Sequence, residues 1–440
     1  MSKAQLVEMS RTGLVHAAAG TIAQAEGIAR IPASHYYDPQ RWQLEMERVF
    51  GRLPLMLAAS VELPNPGDYK AMDAAGVPIL LTRDMDGTIQ AYVNSCAHRG
   101  AQIMAEGCGS AKRFTCPYHA WSYNHSGELT NIYSPRDFGD LDKSEYGLVP
   151  LTSLERSGLI WVVPSSKSTI DIEAFLAGYD ELLAHFGFEN WYFYDSRRVE
   201  GPNWKIAFDG YLDFYHLPIL HKDTFGSDFS NKALYFGWGP HQRVVSPETI
   251  GQELGDLEED QWPTPNLLNG VWTIFPHVSI ASFGEGDHRG VLVSQLFPGE
   301  SPGESYTIQN YMLEKTPDEA GLEAAREQFD FLRHVVEQED YATGLKQQTS
   351  LKTGARDHIL FGRNEEGGQN FHQWLARILE TDDEELNELF KNARSCRQVP
   401  RICHLERRNT LPSPSEIRAT IESYVEMMCQ SDIEGIMALY

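Results

Sequence analysis

Residues 96–129 read CAHRGAQIMAEGCGSAKRFTCPYHAWSYNHSGEL and contain two short metal-ligand motifs. The first motif supplies Cys96 and His98, the second supplies Cys116 and His119, and seventeen residues separate His98 from Cys116. Two thiolates and two imidazoles, one of each per loop, suit a 2Fe-2S centre in which both cysteines bind one iron and both histidines bind the other. The sequence therefore predicts a cluster of this type, with a raised reduction potential.

A structural zinc site is the alternative, because zinc also accepts two cysteines and two histidines. Zinc fingers, however, usually present the cysteines and the histidines as separate pairs. The second motif here lies between β-type runs and not on a helix, so we favour the iron–sulfur interpretation. Cys108 lies between the motifs and is expected to be an ordinary loop thiol, since four ligands already fill the site.

The composition restricts the class of protein. The 440 residues include 62 acidic and 37 basic side chains, and the formal charge of -25 argues against nucleic acid as a partner. No stretch approaches the ~20 apolar residues of a membrane helix, and residues 1–31 lack the apolar run of a secretory signal. Six cysteines are too few for a disulfide framework in a chain of this length. We expect a cytoplasmic enzyme with no membrane partner.

The pattern of the sequence divides the chain into four parts. Trp42, Met46 and Phe50 have helical spacing, short β-rich runs with turn residues follow, and residues 170–188 predict a linker helix. Beyond residue 191, β-type runs alternate with long helical segments, which indicates an α+β domain. The predicted parts are an N-terminal helical segment packing on the catalytic domain, a small all-β domain, the larger catalytic domain and a helical tail, at residues 1–50, 51–165, 166–410 and 411–440.

A second metal site is predicted in residues 203–221, NWKIAFDGYLDFYHLPILH. Asp213 and His216 are three apart on or beside one helix and share a face. His221 follows a break at Pro218, so a turn can bring it back to the same metal. Two histidines and one carboxylate leave open positions on an iron for dioxygen and substrate.

The carboxylate ligand of this iron must come from elsewhere, and residues 329–348, FDFLRHVVEQEDYATGLKQQ, supply the candidates. Glu337, Glu339 and Asp340 compete for this role. Asp340 is favoured because its side chain is shorter and more rigid. His334 is expected to be structural or to support a ligand.

Over residues 36–400 the sequence resembles the α, or large terminal oxygenase, subunits of Rieske non-haem iron aromatic-ring-hydroxylating oxygenases. The segments CAHRG, CPYHAWSYNHSGEL, NWKIAFDGYLDFYHLPILH and EQEDYATGLKQQ resemble the cluster loops, the iron helix and the third-ligand helix of that family. The resemblance implies an α+β fold, with a small all-β Rieske domain beside a larger helix-grip catalytic domain built on an antiparallel sheet. It also implies these functional residues: Cys96, His98, Cys116 and His119 as ligands of one 2Fe-2S cluster, His216, His221 and Asp340 as ligands of one mononuclear Fe(II), and Asp213 as the bridge between the two centres.

The same resemblance implies a function and partners. Electrons from NAD(P)H reach the cluster through a separate ferredoxin or ferredoxin reductase, and dioxygen oxidises a hydrophobic organic substrate. Ring dihydroxylation is the favoured reaction, and monooxygenation or oxidative demethylation is the alternative. An iron–sulfur electron-transfer or sensing protein is a rival from another class. The family also implies a homotrimer, with Asp213 bridging neighbouring subunits, and possibly a separate β subunit.

Three further expectations concern the surroundings of these sites. The family often has Glu-Asn where this chain has Asp209-Gly210, so the resemblance does not predict the pocket around these two residues. A basic spot at Arg99, Lys112 and Arg113 is a candidate docking site for an acidic electron donor. Apolar substrate walls are expected from a set of residues that could equally be core: Tyr211, Leu217, Phe225, Trp272, Phe275 and Phe283.

The last segment, IESYVEMMCQSDIEGIMALY, resembles the opening helices of ketosteroid-isomerase-like (NTF2-like) α+β domains. The curved sheet that should follow in such a domain is absent from the sequence. An ordinary pair of amphipathic terminal helices is an equal alternative for this tail.

Overall fold

A computed structural model of the protein describes residues 2–226, 230–283 and 289–395. The predicted tail at 411–440, and Cys396, Cys403 and Cys429, lie outside the described residues. Helices in the described part are α1 (Ser2–Ala19), α2 (Pro39–Glu45), α3 (Ile172–Leu176), α4 (Asp180–Leu183), α5 (Trp204–Tyr211), α6 (Leu217–Leu220), α7 (Pro247–Leu254), α8 (Thr264–Leu267), α9 (Glu319–His334), α10 (Ala342–Leu351), α11 (Glu366–Glu380) and α12 (Asp383–Ser395).

The strands form one large sheet and several small ones. In chain order they are β1 (Ala29–Pro32), β2 (Leu55–Ala59), β3 (Asp68–Ala74), β4 (Val77–Arg83), β5 (Ile89–Val93), β6 (Gly107–Ser110), β7 (Phe114–Thr115), β8 (Ser122–Tyr123), β9 (Leu129–Asn131), β10 (Pro150–Leu151), β11 (Ser153–Arg156), β12 (Leu159–Val162), β13 (Tyr192–Gly201), β14 (Leu234–Trp238), β15 (His241–Val245), β16 (Val271–Ile274), β17 (Val278–Phe283), β18 (Gly290–Pro298), β19 (Ser305–Leu313) and β20 (His358–Phe361).

The β-rich part contains three small antiparallel sheets, with strand orders β10-β5-β4-β3-β6, β11-β12-β2 and β7-β8-β9. The tight β3–β4 hairpin turns at Ala75 and Gly76, both at positive φ (+54° and +85°). Two successive residues at positive φ match the right-handed twist of the paired strands, which explains why this short connection closes a hairpin. The β7-β8-β9 sheet carries the second ligand motif.

The larger part is built on one antiparallel sheet with the order β13-β19-β18-β17-β16-β15-β14. Because side chains alternate along a strand, each strand sends half of its residues to either face. One face packs against α5, which contacts β18 and β19. The opposite face is fixed to β2 of the β-rich part: Gln295 Nε2 donates to Met56 O at 2.7 Å, and His277 Nε2 accepts from Met56 N–H at 3.2 Å.

These sheets confirm the predicted fold class, an all-β part beside a larger α+β part built on an antiparallel sheet. The predicted linker helix is wrong in detail, because residues 170–188 form the two short helices α3 and α4. A left-handed residue, Ala177 (φ +51°), separates those two helices. The N-terminal helical segment predicted at residues 1–50 contains the long helix α1, which packs on α7. Among the described residues, no helix is both long and apolar enough to cross a membrane.

Candidate metal centres

Two neighbouring loops of the β-rich part contain the first predicted ligand set, and they close in the same way. Gly100 N–H donates to Cys96 O at 2.8 Å, and Ala120 N–H donates to Cys116 O at 3.0 Å. Gly100 and Ala120 both have positive φ, +75° and +58°, which turns the chain sharply after each motif. The two loops therefore present their ligands with matching backbone geometry.

The four predicted cluster residues separate into a sulfur pair and an imidazole pair. Cys96 and Cys116 are buried and unbridged; burial raises the pKa of the Cys96 thiol, and the neighbouring Cys116 adds to that rise. The rings of His98 and His119 lie with their centroids 4.6 Å apart. The buried Nδ1 atom of His98 has no hydrogen-bond partner in the described part of the chain, so it is available to a metal. This donor set fits two irons with two protein ligands each.

Tyr123, on β8, is a neighbour of the cluster loops that the sequence analysis did not single out. Its side chain is buried, its hydroxyl lies 3.2 Å from Cys96 Sγ, and it accepts from Ala97 N–H at 3.0 Å. A tyrosine hydroxyl can donate a hydrogen bond to a thiolate, and such bonds tune the potential of iron–sulfur clusters. The signal was its place in the segment WSYN, four residues after His119, where the second motif ends.

The second predicted ligand set also comes together. Asp340 Oδ1 lies 3.1 Å from His221 Nε2 and 3.6 Å from His216 Nε2. These three side chains form the one group of three or more His, Cys, Asp or Glu ligand atoms within 4.8 Å of one another among the described residues. Two imidazoles and one carboxylate are the donor set of non-haem iron sites that keep open coordination positions.

Short elements position this group. Helix α5 ends at Tyr211, so Asp213 and His216 lie in the turn beside it, and His221 directly follows α6. Asp340 comes from a π-helical segment, Val335–Tyr341, between α9 and α10. Such π turns are often found at functional sites.

Each histidine of the group is oriented by a second carboxylate. His216 Nδ1 donates to Asp213 Oδ2 at 3.1 Å, and His221 Nδ1 donates to Glu339 Oε2 at 2.5 Å. Both Nε2 atoms are thereby directed toward Asp340. A carboxylate that accepts from the second ring nitrogen fixes the tautomer and the orientation of a metal-binding histidine.

The electrostatics of the His221–Glu339 pair agree with this geometry. Burial lowers the pKa of His221, but the Asp340 and Glu339 carboxylates outweigh burial and raise it. Burial raises the pKa of Glu339, but its bonds from the Thr224 hydroxyl and from His221 outweigh burial and lower it. Both shifts favour the ion pair.

The other acidic candidates for the third ligand have different places. Glu337 is exposed and lies 3.9 Å from Arg333 Nε. Glu339 contacts the outer nitrogen of His221 and not the inner one. His334 is exposed, and it lies close enough to Glu339 to help lower the pKa of that carboxyl. Among these acidic residues, Asp340 alone joins the three-residue group.

The chain's departure from the family at Asp209-Gly210 has two structural consequences. Asp209 accepts a hydrogen bond from Tyr36 Oη at 2.8 Å and lies 3.0 Å from His372 Nε2. At Gly210, an added Cβ would meet no atom within 4 Å. The chain therefore ties α5 to the N-terminal part through Asp209 and leaves space at the end of α5.

Four of the six expected wall residues fall into two groups. Phe225 lies beside the metal group, with its ring centroid 5.3 Å from that of His221. The buried Tyr211 hydroxyl is close enough to Asp340 for that carboxylate to raise its pKa, although burial is the larger cause. Trp272 and Phe275, in contrast, are fully buried core residues: Trp272 is on the sheet face opposite α5 and packs against Tyr179. The expected basic spot, Arg99, Lys112 and Arg113, is exposed.

Two family models match the chain: the Rieske [2Fe-2S] domain at residues 54–142 and the ring hydroxylating alpha subunit (catalytic domain) at residues 188–381. Together they cover both predicted metal sites. Domains of these two kinds bind a 2Fe-2S cluster and a mononuclear iron, respectively.

Several known proteins are similar to this chain. The glycine betaine monooxygenase oxygenase subunit of Chromohalobacter salexigens is 30% identical over 48% of this chain and 47% of its own length. The anthranilate 1,2-dioxygenase large subunit of Acinetobacter baylyi is 26% identical over 59% of each chain. The chain thus spans about half the length of these two relatives. The carnitine monooxygenase oxygenase subunit of Escherichia coli is 28% identical over 79% of this chain and 93% of its own.

A solved structure of the quaternary ammonium Rieske monooxygenase CntA has the same fold, with a TM-score of 0.68 and 21% identity over 80% of this chain and 96% of that one. The fold, the family models and the relatives agree that the chain has a Rieske domain and a ring-hydroxylating catalytic domain. The chain belongs to the family of Rieske-type oxygenase α subunits.

Proposed function

We propose that this chain is the terminal oxygenase component of a multi-protein system and that His216, His221 and Asp340 bind its catalytic iron. The observation that carries the proposal is the convergence of these three side chains, each with one donor atom directed inward. Cys96, His98, Cys116 and His119 are the proposed ligands of the 2Fe-2S cluster. When bound, the cluster supplies electrons one at a time and the iron supplies the site of oxygen activation.

The protein's own residues orient the ligands and shield the site. Asp213 and Glu339 hold the outer nitrogens of the two histidines. His221 is buried, whereas His216 and Asp340 are partly exposed, with 21% and 27% of their side-chain surface accessible. The metal group is therefore open from one side. We propose that substrate and oxygen enter from that side.

For the substrate, we favour the monooxygenase alternative over ring dihydroxylation: oxidation of a methyl group on a quaternary ammonium compound, with loss of that methyl group. Relatives named for glycine betaine and carnitine support this reading, and the carnitine relative matches over nearly its whole length. The anthranilate relative supports dihydroxylation as the second candidate. Product analysis with labelled dioxygen separates the two reactions. In the first, one oxygen atom leaves with the lost methyl carbon as formaldehyde and the other is reduced to water, so the amine product carries no label; in the second, both labelled atoms stay on the substrate.

Electron delivery is the second part of the proposal. A ferredoxin or reductase carrying electrons from NAD(P)H reduces the cluster, and a homotrimer places the cluster of one subunit next to the iron of its neighbour. Within the described chain, Asp213 bonds to Tyr215 N–H and His216 but makes no hydrogen bond to His119. A bridge through Asp213 to a second copy is compatible with this geometry, and head-to-tail contacts of this kind close into rings.

Asp213→Asn tests this route. The amide nearly preserves the size of the side chain but removes its charge. We expect both metals to load, the cluster to be reduced at the normal rate, and product formation to fall by orders of magnitude. Iron content, stopped-flow reduction and product yield measure the three steps separately. A fully active variant would exclude the bridge, and an active monomer in sedimentation would exclude the ring.

Iron content also tests the rival from another class. An oxygenase with both centres binds three irons per chain, whereas an electron-transfer or sensing protein with the cluster alone binds two. We expect three irons in the wild type and two, with an unchanged cluster spectrum, in His216→Ala. Two irons in the fully loaded wild-type protein would favour the rival.

A further inference from the structure

A triad of polar side chains joins three distant segments of the chain at the end of α5. Tyr36 precedes α2, Asp209 lies in the last turn of α5, and His372 lies in α11. Tyr36 Oη donates to Asp209 Oδ2 at 2.8 Å. His372 Nε2, in the tautomer that carries its proton there, donates to Asp209 Oδ1 at 3.0 Å. Each oxygen of one carboxylate therefore holds a donor from a different segment.

The triad is sheltered from water. Tyr36 is 1% exposed and His372 is 5% exposed. Burial and the nearby Asp209 carboxylate raise the pKa of the Tyr36 phenol well above its usual range, so the hydroxyl keeps its proton and acts as a donor. Hydrogen bonds to a charged acceptor are stronger than neutral ones, and a buried group that loses its partner is destabilised. Loss of either donor should therefore loosen Asp209.

The triad is one of two anchors on the same side of α5. Lys205 and Asp209 are four residues apart, so their side chains lie on one face of the helix. Lys205 Nζ lies 2.5 Å from Glu45 Oε2 at the end of α2, and both side chains are fully buried. Lys205 Nζ also lies 5.8 Å from the centre of the Tyr36 ring, so the two anchors adjoin. The N-terminal segment thus holds α5 near both of its ends.

The last turn of α5 gains no support from a side chain at its next position. Gly210 is exposed, and an added Cβ there would meet no atom within 4 Å. Helix α11 approaches the end of α5 again at Gly367, where an added Cβ would lie 3.2 Å from Leu212 O. The place of this turn therefore depends on the Asp209 side chain and on the close approach of α11.

A short bonded path leads from the triad to a proposed iron ligand. Leu212 N–H donates to Asp209 O at 3.1 Å and closes the C-terminal end of α5. Asp213 is the next residue, and its Oδ2 accepts from His216 Nδ1 at 3.1 Å. The carboxylate that orients His216 therefore follows directly after the turn that Asp209 holds.

We propose that Tyr36 and His372 are positioning residues of the iron site, which act through Asp209 to fix the end of α5 and thereby the places of Asp213 and His216. This inference rests on the proposed function for the identity of the iron ligands. It adds two residues from segments that supply none of those ligands and do not touch the metal group.

The test removes the two donors one at a time. Tyr36→Phe and His372→Leu each delete one donor, whereas His372→Gln keeps an NH2 donor near the position of Nε2. Competition with a chelator measures the affinity of the mononuclear iron in protein whose visible spectrum shows an intact cluster. The EPR spectrum of the nitric oxide adduct of that iron, taken with the cluster oxidised, reports the arrangement of the ligands.

We expect Tyr36→Phe and His372→Leu to bind the iron about 10-fold more weakly and to change the EPR spectrum. The expected loss is at the lower end of the 10- to 100-fold range for residues that orient a ligand directly, because the triad acts one step further from the metal. His372→Gln should stay close to the wild type in both measurements. If His372→Leu does not fold, Tyr36→Phe decides the question by itself.

Tyr179→Phe is the matched control. Tyr179 is as buried as Tyr36, but its hydroxyl donates to Gln242 O, in β15, at 2.5 Å and not to α5. Both tyrosine variants should lose stability in urea, and only Tyr36→Phe should weaken iron binding. Equal iron loss in the two variants, unchanged iron binding in Tyr36→Phe, or a His372→Gln variant as defective as His372→Leu overturns the proposal.

Iron content separates this inference from the proposed function. A wild-type protein that binds no third iron overturns both. A wild-type protein with three irons, together with a Tyr36→Phe variant that matches Tyr179→Phe, leaves the proposed iron site standing and overturns only the positioning role of the triad.

Discussion

Replacing Glu339 or Asp340 by alanine distinguishes a residue that orients a ligand from the ligand itself. Asp340 Oδ1 faces the Nε2 atoms of both histidines, whereas Glu339 Oε2 lies 2.5 Å from the outer Nδ1 of His221. Loss of a carboxylate that orients a metal-bound histidine typically weakens metal binding 10- to 100-fold. That range corresponds to about 1.4–2.7 kcal/mol. We therefore expect Glu339→Ala to bind iron 10- to 100-fold more weakly and to remain active when iron is in excess.

Asp340→Ala should lose the mononuclear iron altogether, because it removes one of only three protein ligands. Competition with a chelator measures the iron affinity, and the visible spectrum of the cluster reports whether the other centre is intact. Glu337→Ala is the matched control: Glu337 lies in the same π-helical segment but is exposed, so iron affinity should not change. If Glu339→Ala lost iron more completely than Asp340→Ala, the third ligand would be assigned to the wrong residue.

Three further predictions concern other parts of the molecule. Tyr123→Phe removes the hydroxyl that lies beside Cys96 Sγ, so the reduction potential of the cluster should fall in a redox titration. An unchanged potential would contradict a hydrogen bond from Tyr123 to that sulfur. Glu45→Ala leaves the buried Lys205 ammonium unpaired and should lower the free energy of unfolding, measured in urea, by about 3–5 kcal/mol. The double variant Glu45→Ala, Lys205→Met should recover part of that loss. Lys112→Glu combined with Arg113→Glu should slow cluster reduction by an acidic donor at low salt and flatten its salt dependence; an unchanged rate would exclude docking there.

Local sequence was sufficient to predict the first candidate metal centre. Both cluster motifs are contiguous, each within four residues, so the loops carry their ligands whatever the rest of the chain does. The alternation of β runs and turn residues likewise predicted the all-β part, because the pleat of a strand is a local property. The predicted helix at residues 36–50 was also found, as α2 followed by one π turn.

Features that depend on contacts between distant segments were harder to predict from the sequence. Periodicity suggested one linker helix, but two short helices formed, because packing against the core outweighs a weak local preference. Trp272 was a candidate wall residue, and its position on the core side of the sheet depends on the strand register, which no single segment encodes.

The sequence by itself determined the fold class and the family, and it predicted the two ligand sets as residue types. The sequence favoured Asp340 among the acidic candidates, but only the tertiary structure showed the different neighbours of Glu337, Glu339 and Asp340, because these residues hardly differ in local pattern. It also placed Glu339 beside His221, which lies 118 residues away along the chain. Their contact depends on how the π-helical segment packs against the turn after α6, and a sequence read along the chain does not contain that distance.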